Sequence, residues 1–61
     1  MPFTPEETRE AVTRELKLRR RVYPRRIESG HMTPELAKRQ IALFEEIEAD
    51  YQAKAQGERL L

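Results

Sequence analysis

One three-residue signal, Thr-Pro-Glu, stands twice in this chain, at Thr4-Pro5-Glu6 and at Thr33-Pro34-Glu35. Each reads as a helix start. The threonine caps exposed backbone N–H groups, and proline suits the first helical position, where its missing N–H costs nothing. The acid follows where the helix dipole favours negative charge. Glu7 can complete a capping box with Thr4. Between the two starts lies Ser29-Gly30-His31-Met32, with Gly30 placed to close a helix in a left-handed conformation. Two helical arms about so short a hinge make an antiparallel helical hairpin, an all-α fold. Nothing in the chain reads as a strand.

Pro24 interrupts the first arm. It has no N–H to donate, its ring crowds the carbonyl four residues back, and it pushes Tyr23 away from helical geometry, at a cost of about 3 kcal/mol inside a helix. The expected layout is therefore a first helix over about 5–22, ending or kinking sharply there, then a short helical turn over 24–29. A second helix follows over about 34–56. Gly57 acts as a stop and 57–61 form a frayed tail.

The apolar pattern asks for more than two helices. At 100° per residue, Leu36, Ala37, Ile41, Leu43, Phe44, Ile47, Tyr51 and Ala55 share one arc of the second helix, roughly 160° wide and broader than a two-helix seam uses. The first helix carries two narrower strips, Val12, Leu16 and Tyr23 on one and Ala11, Leu18 and Val22 on the other. A single hairpin covers only one of them. The excess points to a second copy or another protein, and a homodimer closing into a four-helix bundle is the simplest arrangement. Candidate self-association or partner-interface residues are Leu18, Val22, Tyr23, Ile41, Phe44, Ile47 and Tyr51. A chain of 61 residues with no Cys lacks disulfides to supplement its core, and association is the usual substitute.

Charge is arranged as a mirror about the hinge. Arg14, Lys17, Arg19, Arg20 and Arg21 lie about as far before it as Glu45, Glu46, Glu48 and Asp50 lie after it. A hairpin is expected to set these opposite signs side by side, which would give the basic cluster an internal role. The alternative is a small nucleic-acid-binding protein whose basic face, formed by Arg14, Lys17, Arg20, Arg21, Arg25 and Arg26, contacts phosphates. The net charge of +1 argues against strong whole-molecule attraction to polyanions. Tyr23 is the one aromatic among the arginines, too few for a base-stacking platform.

Catalytic and metal chemistry find little footing. Ser29 and His31 are the chain's only serine and histidine, and both belong to the hinge, where no third residue completes a nucleophile–base–orienter set. Without Cys, and with one His, the common zinc sites are excluded. The acids of the second helix point in diverging directions, with no loop to gather them around a cation. No enzyme activity, metal or cofactor is expected. The longest uncharged apolar run, Ile41-Ala42-Leu43-Phe44, is far too short to span a membrane. The first residues also lack the order of a signal peptide. A soluble, cytoplasmic protein with no membrane partner is expected.

One stretch carries a resemblance. Leu16, Arg19, Val22-Tyr23-Pro24, Ile27, Gly30, Met32-Thr33, Ala37, Ile41, Ile47 and Asp50-Tyr51 are similar to the pattern in a group of very short proteins encoded by bacteriophages and prophages of Gram-negative bacteria. The most distinctive part is Val-Tyr-Pro followed six residues later by Gly-x-Met-Thr. The resemblance implies a phage-related setting, the cytoplasm of a bacterial host, and binding to a host or phage protein. It implies no catalytic or ligand residue. The expected function is non-catalytic protein–protein interaction, as a modulator of such a partner.

Overall fold

A computed structural model describes residues 2–59 and shows two α-helices packed against each other, α1 over Pro5–Glu28 and α2 over Pro34–Arg59. Both begin where the Thr-Pro-Glu signals stand. At the first, the Glu7 N–H donates to Thr4 Oγ1 at 3.1 Å and the Thr4 N–H donates to Glu7 Oε1 at 3.3 Å, a complete capping box. At the second, the Leu36 N–H donates to Thr33 Oγ1 at 3.1 Å. Leucine in the third position cannot return the bond, so this cap is one-sided.

The hinge is a backbone device. Gly30 has φ +80°, its N–H reaches the Ile27 carbonyl at 3.1 Å, and the His31 N–H reaches the Arg26 carbonyl at 2.9 Å. These are the two bonds of a Schellman closure, in which the last orphan carbonyls of a helix are satisfied by a chain that has turned left-handed. Arg25 and Arg26 occupy the last turn of α1, where positive charge suits the dipole.

Two expected boundaries are corrected. The first helix does not end near Val22 with a separate turn over 24–29, because Pro24 lies inside one continuous α1. The local penalty of proline is offset on either side of it, first by Tyr23, which is buried in the seam. Tyr23, Pro24 and Ile27 line a groove of about 490 Å³ together with Ala37, Ile41 and Ala42 of α2, and the Schellman bonds hold the far side of the following turn. Gly57 does not stop α2, which continues to Arg59. An interior glycine costs about 1 kcal/mol, too little to end a helix by itself. The remainder of the expected frayed tail, residues 60 and 61, lies outside the described residues.

The seam between the helices is thin. Leu16, Tyr23, Ala37 and Ala55 are the buried apolar residues, and Leu16 is the one large side chain that is fully enclosed among the described residues. Two of these four are alanines, which contribute least to burial. The molecule is a rod of 47 × 17 × 16 Å, so most side chains lie at the surface.

Candidate interaction surfaces

Counting 100° per residue from the buried positions separates the surface into two flanks beside the seam and two backs opposite it. One flank is closed by polar bonds between the helices. Arg20 Nη2 meets Glu45 Oε2 at 2.8 Å, and Thr13 Oγ1 donates to Glu48 Oε2 at 2.6 Å. The groove with Pro24, Ile27 and Ile41 opens on this side.

The other flank is built around Arg19. Its guanidinium lies 4.3 Å from the centroid of the Phe44 ring on α2, while Nη1 donates to the Tyr23 hydroxyl at 2.7 Å and Nη2 pairs with Glu15 Oε1 at 3.0 Å. The hydrogen bond to Tyr23 raises the Arg19 pKa above its ordinary value, against the opposing effect of burial, so the group stays cationic at any working pH. Phe44 is thereby pinned by a cation–π contact. Outward from it, Leu36, Leu43 and Ile47 remain 45%, 44% and 41% exposed, at about 80–120° from the seam on α2. Val22 of α1 points to the same side. Around Leu36, Leu43 and Ile47 this flank is apolar and open.

The seven residues expected at an interface do not form one patch. Val22 and Ile47 stand on the open flank, with Phe44 and Tyr51 half-buried at its inner edge. Ile41 turns toward the closed flank and its groove. Tyr23 is buried in the seam, so it belongs to the hairpin's own core. Leu18, 43% exposed, sits on the back of α1, about 200° from Leu16. Two residues outside that set, Leu36 and Leu43, are the largest exposed part of the open flank. Their signal was the width of the apolar arc, since its edge is what a partner helix in the same chain leaves uncovered.

The charge mirror pairs far less than its symmetry suggests. Arg20 alone of the inner basic set reaches an acid across the seam, while Arg19 uses Glu15 of its own helix and Asp50 pairs with Lys54 at 3.3 Å within α2. Arg14, Lys17, Arg21 and Arg25 are exposed and have no carboxylate within ion-pair distance among the described residues. Arg26 is also exposed, on the open-flank side of α1. Matching levels along a hairpin is not enough, since these four residues point away from α2.

In the hinge, Ser29 Oγ lies 2.7 Å from His31 Nδ1 and 3.2 Å from the Arg26 carbonyl. The hydroxyl has one proton, so either it donates to the carbonyl and accepts from Nδ1–H, or it donates to Nδ1. Both side chains are exposed. Among the described residues no group of three or more His, Asp or Glu side chains is gathered to hold a metal ion. No helix of the described residues is long and apolar enough to cross a membrane. Compared with protein-family models, curated proteins and solved structures, the chain matches none.

Proposed function

We propose that this chain is a non-catalytic protein–protein interaction module that pairs with a second copy through its open flank, giving a four-helix bundle. In the phage-related setting that the resemblance implies, the paired form binds a host or phage protein in the bacterial cytoplasm. A bend of α1 at Pro24, where the Arg20 carbonyl loses its helical donor, belongs to the same reading because it aims the last turn of α1 around the bundle.

The observation that carries the proposal is the contrast between a seam with one fully enclosed large side chain and a flank where Leu36, Leu43 and Ile47 are each more than 40% exposed. Apolar surface along one side of α2 beside so small a core is what a second layer of helices covers. Arg19 and Glu15, paired at 3.0 Å beside this flank, supply a polar mark that favours one register of the two copies. A non-catalytic role agrees with the exposed Ser29–His31 pair, whose histidine has no carboxylate within ion-pair distance among the described residues.

Light scattering on the purified chain at high micromolar concentration tests the pairing. A dimer is expected, and the double variant Leu43→Glu, Ile47→Glu is expected to be monomeric while keeping helical circular dichroism. A well-folded wild-type chain that stays monomeric throughout would overturn the proposal.

A further inference from the structure

We infer that the back of α1 is a binding site for the phosphate backbone of duplex nucleic acid, formed by Arg14, Lys17, Arg21 and Arg25. These four side chains fall within an arc of about 80° on the side of α1 away from α2. All four are exposed, and no carboxylate is within ion-pair distance of them among the described residues. Arg20 and Arg26 are left out, the first because it is committed to Glu45 at 2.8 Å and the second because it points to another side.

Apart from Arg25, which suits the dipole at the end of α1, the arrangement gives the hairpin no ion pair. Lys17, Arg21 and Arg25 repeat at four-residue spacing, and Arg14 stands three before Lys17, which places like charges next to one another on the helix surface and weakens it. Every other basic side chain of the central part of α1 found a use inside the fold, Arg19 with Glu15 and Tyr23, Arg20 with Glu45. The four unpartnered cations are on a rigid rod and span about 16 Å along its axis. One strand of a duplex presents about five phosphates over that length. Glu10 and Glu28 stand near the two ends of the ridge and limit its footprint.

The chemistry of the ridge also sets what it reads. Its central polar groups are Arg and Lys, with Leu18 beside them and Glu10, Glu15 and Glu28 at its margins, and no Asn or Gln stands among them to read base edges. Tyr23 is buried and offers no stacking face for unpaired bases. Contacts made only to phosphates carry no sequence information, so binding is independent of sequence and favours a duplex. None of these residues lies on the flank assigned to self-pairing, and the inference stands whether or not that pairing occurs.

Fluorescence anisotropy with a labelled duplex of arbitrary sequence tests it on the full chain. About four phosphate contacts per hairpin predict an affinity loss of roughly 150-fold between about 50 and 200 mM salt. The variant Arg14→Gln, Lys17→Gln, Arg21→Gln, Arg25→Gln is expected to abolish binding with helical circular dichroism intact. The milder Arg21→Gln is expected to reduce the logarithmic salt slope by about one. Lys38→Gln with Arg39→Gln, on α2, should leave affinity and slope unchanged. Absence of binding at low salt, or binding that survives the loss of all four cations, overturns the inference. Equal affinity for polyglutamate also overturns it and assigns the ridge to an acidic protein.

Discussion

The two flanks of this hairpin are made from the same pair of helices and yet end in opposite states. On one, Arg20 reaches Glu45 and Thr13 reaches Glu48 across the seam, so polar side chains bridge the helices beside the groove of Pro24, Ile27 and Ile41. On the other, the Arg19 guanidinium is spent on Phe44, Tyr23 and Glu15, and the leucines and isoleucine outside it remain more than 40% exposed. The difference comes from where each helix turns its mixed positions. A charge at the seam's edge closes that edge only if its partner lies both at the same level and on the same side. The closed flank meets that condition and the open flank does not, so Leu36, Leu43 and Ile47 stay more than 40% exposed there.

Three measurements rank the parts of this contrast. Leu16→Ala removes the one large enclosed side chain on which both flanks rest. It is expected to cost about 3–5 kcal/mol, read as a collapse of the thermal melt followed by circular dichroism; a loss under 1 kcal/mol would mean the seam does not hold the flanks together. Gly30→Ala acts at the hinge that brings the flanks into being. Open space surrounds the position, so the penalty is the left-handed backbone itself, about 1–2 kcal/mol. Chemical denaturation measures it. An unchanged midpoint would show that the closure tolerates another geometry. The smallest effect is at the closed flank. A double-mutant cycle of Arg20→Gln and Glu45→Gln is expected to give a coupling of about 0.2–1 kcal/mol, since both side chains are about half exposed. A coupling much above that would make the closed flank a strong clamp.

Much of the hairpin was legible because its signals are local. Thr4, Pro5 and Glu7 determine a capping box within four residues, and Gly30 supplies the positive φ that ends α1. Pro24 was misleading for the complementary reason. Its penalty is local and visible in the sequence, whereas the burial of Tyr23 in the seam that offsets it is tertiary. The candidate surfaces were legible in part. The breadth of the apolar arc announced uncovered surface, but Tyr23 entered the seam and Ile41 turned to the closed flank, so the patch centres on Leu36, Leu43 and Ile47. The basic cluster divided the same way, with Arg20 drawn to Glu45 and Arg14, Lys17, Arg21 and Arg25 left on the back.

By itself, the sequence determined two helices, their starts and the left-handed turn between them, because caps, prolines and glycines act through bonds spanning a few residues. Only the tertiary structure decided that α1 continues through Pro24 and which cations find acids. It also decided which apolar side chains stay in water. Those outcomes depend on the rotation of one helix about its axis relative to the other, a quantity set by packing along the whole seam and carried by no single stretch of chain.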